Sequence, residues 1–151
     1  GRILRELRRL SPDAALGADV IVGFPGEAER DFDELRGFLE GSPLTYFHVF
    51  PYSPRPGTPA AIRPQVPAGV VSARARVLRR LSAGKDYRFR RRFIGRELEA
   101  VVIARSEQGA EVMTGNGLRI AVPFSPAVKR EIVRVKVGQV LPLRTEGEVV
   151  G

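Results

Sequence analysis

The residues of this 151-residue chain whose types could do chemistry are mostly turn glycines and arginines. Gly23-Phe-Pro-Gly26 ends the apolar run Val20-Ile-Val22 and is followed by Glu27, Glu29 and Asp31. A Gly-Pro turn that opens a helix leaves backbone N–H groups at the positive end of the dipole, where an anionic or polar ligand is welcome. The same residues also suit such a turn for backbone reasons alone. A second loop, Tyr52-Ser-Pro-Arg-Pro-Gly-Thr-Pro59, carries one charged side chain, Arg55, suited to a phosphate or a carboxylate, or simply solvated. Arg74, Arg76, Arg79, Arg80, Lys85, Arg88, Arg90, Arg91 and Arg92 then crowd one stretch against a single acid, Asp86. Two readings of that stretch stand side by side: a solvated outer face, or a stripe that tracks phosphates. Arg is the natural residue for the second, because its planar fork contacts two oxygens at once.

Composition narrows the chemistry. The net charge is +8, which favours an anionic partner, nucleic acid being the commonest. Arginine bias alongside abundant Ala, Gly and Pro also fits a GC-rich genome. With no cysteine, disulfides, thiolate catalysis and a thiolate-held iron–sulfur cluster are excluded within this chain. The single histidine, His48, has no partner with which to build a metal site, and inside an apolar run it reads as a packed strand residue. No apolar run approaches the ~20 residues that span a bilayer, and no signal-type leader is visible, so the chain reads as cytoplasmic, with no membrane partner.

The elements that would hold these residues follow from periodicity. Residues 2–10 show a helical period, with Ile3, Leu4, Leu7 and Leu10 on one face. Residues 16–23 read as a strand. Glu27, Glu29 and Asp31 then start a helix whose stripe is Phe32, Leu35, Phe38 and Leu39, and Gly41-Ser-Pro43 stops it. Residues 44–52 form a second strand, and this order implies parallel neighbours joined by a right-handed crossover. Two parallel strands cannot cover both their faces, so residues 1–61 read as incomplete. Five of the twelve prolines fall in residues 53–67, an extended connector. A long helix is expected over 68–93, with Val70, Val77, Leu78, Leu81, Phe89 and Phe93 as its apolar stripe and Gly84 as a weak point. Short strands follow at 98–104, 110–114, 118–122, 132–137 and 140–143, with 146–150 as one more pairing segment, suggesting a small antiparallel barrel of OB-type outline.

The run Ala18-Asp-Val-Ile-Val-Gly-Phe-Pro-Gly-Glu27 resembles the fifth-strand motif of radical-SAM enzymes. The octapeptide ending at Pro59, preceded by His48-Val-Phe-Pro51, resembles that of tRNA methylthiotransferases, most closely the threonylcarbamoyladenosine branch and next the isopentenyladenosine branch. Phe93-Ile-Gly-Arg-Glu-Leu-Glu-Ala-Val-Val102, Thr114-Gly-Asn-Gly-Leu-Arg-Ile-Ala-Val-Pro123 and Ile132-Val-Arg-Val-Lys-Val137 resemble the TRAM domain, an RNA-binding module. The likeness covers essentially the whole chain, in order.

This resemblance implies an α/β followed by all-β architecture. Residues 1–62 would be the last βαβ portion of a radical-SAM partial TIM barrel. Residues 63–94 would be the Pro-rich connector and Arg-rich helix, and 95–151 a TRAM (OB-like) β-barrel. Ile21, Gly23 and Glu27 would lie on the adenine side of S-adenosylmethionine, with Ile21 packing there, Gly23 allowing close backbone approach and Glu27 holding the turn. Arg55, Asn116, Arg119, Arg134 and Lys136 would meet the anticodon stem-loop of tRNA. The family often has an aromatic residue where this chain has Leu118, so a base-stacking contact is expected to be missing there or supplied elsewhere. The two [4Fe–4S] clusters of the family would be held by an N-terminal part of the same enzyme, leaving this chain inactive alone. A stand-alone basic RNA-binding protein is a second reading, and an inert remnant whose barrel part is unfolded or aggregated is a third.

Overall fold

In the computed structural model, which describes residues 1–150, Asp19–Val22 (β1) and His48–Pro51 (β2) lie side by side as parallel strands, with Val20 opposite Val49 and Ile21 opposite Phe50. Both are shorter than the apolar runs predicted. At the N-terminal flanks Thr45 bonds Leu16 with its side chain as well as its backbone: its Oγ1 accepts from the Leu16 N–H at 2.9 Å, and its own N–H donates to the Leu16 carbonyl at 2.8 Å. Val20, Val22 and Val49 are buried, whereas Asp19, Ile21, His48 and Phe50 are exposed. A parallel sheet is ordinarily covered on both faces; this one is covered on one.

The covered face packs under two helices. Glu29–Gly41 (α2, numbered after Arg2–Leu10, α1) begins with Asp31 Oδ2 accepting from the Ala28 N–H at 2.9 Å, and it buries Phe32 and Leu39. Phe38, expected on the same stripe, is half exposed. The C-terminal end of α2 is met by a cation, as its dipole favours: Lys85 Nζ donates to the carbonyls of Glu40 and Ser42 at 2.9 and 3.0 Å. Lys85 belongs to Ala68–Arg91 (α3), which starts after Pro67 and runs through Gly84 without a break. Ala75 and Leu78 are buried in this core, Val70 and Val77 are not. Buried Ser82 fixes α3 to the chain entering β2, accepting from the Phe47 N–H and donating to its carbonyl, both at 2.8 Å. Of the apolar stripe predicted for α1, Leu4 packs against this core, while Ile3, Leu7 and Leu10 stay exposed, Ile3 by 76%.

The chain divides into two compact units, one of residues 1–12 and 16–85, the other of residues 13–15 and 86–150. The second is a closed barrel of Glu97–Ser106 (β3), Gly109–Thr114 (β4), Arg119–Pro123 (β5), Ile132–Val140 (β6) and Thr145–Val149 (β7), in the order β3-β4-β5-β7-β6. Every pairing is antiparallel except β5 with β7, parallel at Ala121 and Glu146. Closure leaves no free edge to recruit another chain. Val112, Ile120, Val133, Val135 and Val137 fill the interior together with Phe89, in the last turn of α3, and Phe93 just beyond it. The segments predicted as separate strands at 132–137 and 140–143 differ from what is observed. Gly138 is absorbed as a bulge between Val137 and Gln139, so β6 continues to Val140, and the fifth strand is β7. A 3-10 turn at Pro126–Lys129 precedes β6. Among the described residues no helix is long and apolar enough to cross a membrane.

Candidate functional site

The turn after β1 is built inward. Gly23 and Gly26 both have positive φ, 79° and 91°, the region that glycine enters without cost. The Gly23 N–H donates to Glu27 Oε2 at 2.9 Å, and Glu27 Oε1 takes Arg74 Nη1 at 2.5 Å. The Arg74 and Glu27 side chains are 7% and 11% exposed. Arg74 Nη2 also reaches Glu29 at 2.8 Å, and the guanidinium lies 5.2 Å over the Phe32 ring. Glu29 does most to raise the Arg74 pKa above its ordinary value, burial opposes it, and Glu27 adds to the rise. A Cβ at Gly23 would stand 2.5 Å from Val71 Cγ2. The close approach that this glycine permits is therefore made by α3 itself, and the N–H that a ligand would seek is held by Glu27.

The open face of the sheet is different. Ile21 is 57% exposed and lies in register with Phe50. Along the same face the rings of Tyr46, His48 and Phe50 follow one another at 5.5 and 6.4 Å, and Phe24 meets Tyr52 edge-on at 5.1 Å. His48 is thus exposed within an aromatic row instead of being packed in the core. Ile21 and Phe50 leave an exposed apolar surface there, and the Gly23–Glu27 hydrogen bond holds the turn that follows β1. Arg55 is exposed in the loop beyond β2, where its carbonyl accepts from the Thr58 hydroxyl at 2.8 Å. Among the described residues no cluster of His, Asp or Glu is placed to hold a metal ion.

On the barrel, the cations singled out from sequence are not gathered in one place. Arg134 and Lys136 point outward from β6, while Arg119 starts β5, with β7 between them. Each has acidic company. Lys136 is opposite Glu97 on β3 and Glu148 on β7; Arg134 is opposite Glu99. Arg119 lies 3.8 Å from Glu111. Asn116 has both ends of its amide engaged: Oδ1 accepts from the Thr114 hydroxyl of its own turn at 2.5 Å, and Nδ2 donates to the carbonyl of Asp13, far away in sequence, at 3.1 Å. Leu118 is only 2% exposed, so its side chain faces the core and position 118 has no stacking surface to offer. The outer wall instead carries a row of exposed apolar side chains in register, Ile132, Val101 and Met113, across β6, β3 and β4.

No family model matches the chain. Individual proteins do. It is 37% identical to a threonylcarbamoyladenosine tRNA methylthiotransferase of Rickettsia prowazekii, over 89% of this chain and 32% of that protein. A tRNA-2-methylthio-N(6)-dimethylallyladenosine synthase of Thermus thermophilus is 35% identical over 98% of this chain and 32% of the enzyme. A ribosomal protein uS12 methylthiotransferase of Roseiflexus is 34% identical over 99% and 34%. The chain belongs to the methylthiotransferases. It spans about a third of the length of these curated relatives.

Several residues that shape this methylthiotransferase segment were not singled out by sequence reasoning, or were assigned other work. Of the nine cations on the Arg-rich stretch, Arg74, Lys85 and Arg90 are buried and structural. Arg90 donates to Asp86 at 2.7 Å, to the carbonyls of Leu141, Pro142 and Arg144 at 3.0, 2.7 and 3.1 Å, and to Thr145 Oγ1 at 3.1 Å. Neither a solvated face nor a phosphate stripe describes these three. Asp13 was unmarked, yet its carboxylate accepts from Arg92 at 3.4 Å and from Arg96 at 2.7 Å. The nearest sequence signal was the even spacing of cations on all sides of a helix, since a helix packed on one face cannot leave every one of them in solvent.

Proposed function

We propose that this chain is the portion of a tRNA methylthiotransferase that carries the last strands of a radical-SAM barrel and a TRAM-type RNA-binding barrel. The observation that carries the reading is the 37% identity over 89% of the chain to a tRNA methylthiotransferase. Two structural features support it. The parallel pair β1–β2 has one covered and one open face, as late strands of a larger parallel barrel would. The five-stranded closed barrel is of the small OB-type architecture used by RNA-binding modules.

In this reading the open face with Ile21 and Phe50 meets the adenine of S-adenosylmethionine, and Gly23 and Glu27 keep the adjoining turn in shape. When bound, the cofactor and the family's two iron–sulfur clusters supply the radical chemistry that replaces an inert C–H bond by a methylthio group. Those clusters belong to the preceding portion of the enzyme, whose strands would cover the open face. Arg55, Arg119, Arg134 and Lys136 approach the anticodon stem-loop, with Asn116 holding the turn beside Arg119. The substrate is a threonylcarbamoyladenosine beside the anticodon, with the dimethylallyl nucleoside as the competing choice. The site would work in the cytoplasm, where tRNA is modified.

A chimera tests the proposal. This chain replaces the matching third of the Rickettsia enzyme, and tRNA from a strain lacking the modification is analysed by mass spectrometry of nucleosides. A methylthio nucleoside is the expected product, its side chain reporting the substrate. A folded, cluster-loaded chimera that leaves tRNA unmodified would overturn the reading.

A further inference from the structure

Between Glu40 and Asp86 the chain has no carboxylate side chain, while it carries Arg55, Arg63, Arg74, Arg76, Arg79, Arg80 and Lys85. The structure divides these cations. Arg74 and Lys85 are buried on partners of the first unit, as described above. Arg76, Arg79 and Arg80 are exposed, and among the described residues none of the three has an ion pair. They border an open cleft of about 450 Å³ along α3, which Pro51 at the end of β2 also lines. Ser72, Ala75 and Ala83, spaced to lie on the same helical face, leave room between the guanidinium groups.

That arrangement is selective for an anion. Three positive charges line one concave surface, Arg79 also donating to the Val49 carbonyl at 3.4 Å, and residues 41–85 hold no acid to neutralise them. The volume falls within the range of small-ligand clefts, large enough for a sugar–phosphate unit. The contrast with the barrel is direct. Arg134 and Lys136 share their wall with Glu97, Glu99 and Glu148, which repel phosphate where those cations attract it. Exposed guanidinium groups without acidic neighbours attract phosphates more strongly than cations already facing carboxylates, and they can contact two oxygens each.

We infer that the α3 cleft of Arg76, Arg79 and Arg80 is a phosphate-binding site for the RNA backbone and carries the larger share of the salt-dependent affinity, ahead of the barrel cations. This rests on the proposed function only in taking RNA as the polyanion. Binding there involves no base reading, so it positions the RNA and leaves selection of the nucleoside to other contacts.

The test uses the whole 151-residue chain and a fluorescent tRNA anticodon stem-loop, with anisotropy read across a salt series. Each phosphate neutralised steepens the plot of log affinity against log salt by roughly 0.7–0.9. The variant Arg76→Gln/Arg79→Gln/Arg80→Gln is expected to lower the slope by about 2 and the affinity about 100-fold near 0.1 M salt. The matching Lys triple variant is expected to keep the slope, and Arg134→Gln/Lys136→Gln to change affinity less than about threefold. If the Gln triple variant melts early, Arg80→Glu alone reads the same question at a single exposed position. Steep wild-type binding that none of the α3 changes alters would overturn the inference while leaving RNA binding intact. A wild-type chain that binds no RNA at low salt would overturn the RNA reading and this site with it. Binding of polyglutamate as tight as that of RNA would show the occupant to be an acidic polypeptide and would equally overturn it.

Discussion

Arg74 of α3 closes an ion pair with Glu27, and the second oxygen of that same carboxylate holds the Gly23 N–H. One buried guanidinium thereby ties a helix to the turn that follows β1. The turn keeps its shape because Glu27 cannot swing out without abandoning both a cation and a backbone donor. The Arg74 Nε is buried with no hydrogen-bond partner among the described residues, so the arrangement is not perfectly satisfied even as it stands.

Removing the cation should therefore be costly. Arg74→Ala leaves the Glu27 carboxylate buried without its partner, and breaking a buried pair from one side typically costs about 3–5 kcal/mol. Arg74→Lys keeps the charge but loses the fork that reaches Glu27 and Glu29 together, so it should lose less. Urea unfolding followed by circular dichroism measures both. A loss below about 1 kcal/mol for Arg74→Ala, the range of a surface pair, would show that the pair does not hold the turn.

Gly23 meets two separate demands, and they can be measured apart. Its φ of 79° is unfavourable for any residue with a side chain, by about 1–2 kcal/mol. Its missing Cβ makes room for Val71, and overpacking there would add about 1–3 kcal/mol. Gly23→Ala should thus destabilise by both amounts, and Val71→Ala in the same chain should recover only the steric part. A double-mutant cycle with no coupling would show that α3 does not press on this turn.

The limits of the sequence are clearest at these same residues. The Gly-Phe-Pro-Gly turn, the helix starting among Glu29 and Asp31, and the parallel pair were legible because each is a local pattern of turn glycines, acidic first-turn residues and apolar runs. Which partner uses an open glycine was not, since Val71 lies far along the chain. For the same reason the Arg-rich helix could be placed but its arginines could not be sorted into buried and exposed. His48 misled because alternation places it on a sheet face whose cover no local signal describes. At the barrel, Gly138 looked like a strand boundary, while a bulge lets one strand pass through it.

Arg90 should prove the main fastener of the β6–β7 connection. Its donors reach the carbonyls of Leu141, Pro142 and Arg144 and the Thr145 hydroxyl, adding to the backbone bonds between Leu141 and Arg144 that close the connection. Arg90→Ala would take this donor from the Pro142 carbonyl and the Thr145 hydroxyl, a cost of about 1–3 kcal/mol, while Asp86, 40% exposed, can turn to solvent. Hydrogen exchange should accelerate first at residues 141–145. Uniform loss of protection across the barrel, with no early opening at that connection, would count against this role.

Two glycines on neighbouring strands give a final discrimination, because they differ in what a methyl group would meet. At Gly147 on β7 a Cβ would stand 2.5 Å from the Lys136 carbonyl oxygen and about 3 Å from Ile120 and Val135. The nearest of these is backbone, which cannot swing aside as a side chain does. At Gly138, in the bulge of β6, the nearest atom is the Glu146 carbonyl oxygen at 3.5 Å, an ordinary contact. Neither glycine has a positive φ, so the comparison isolates packing from backbone strain. Gly147→Ala must push β7 away from β6, which should lower stability by about 1–3 kcal/mol or more. Gly138→Ala should be nearly neutral, since no atom has to move. Thermal unfolding of the two variants side by side settles the matter: equal midpoints would mean that β7 is not seated against β6 as closely as the register requires.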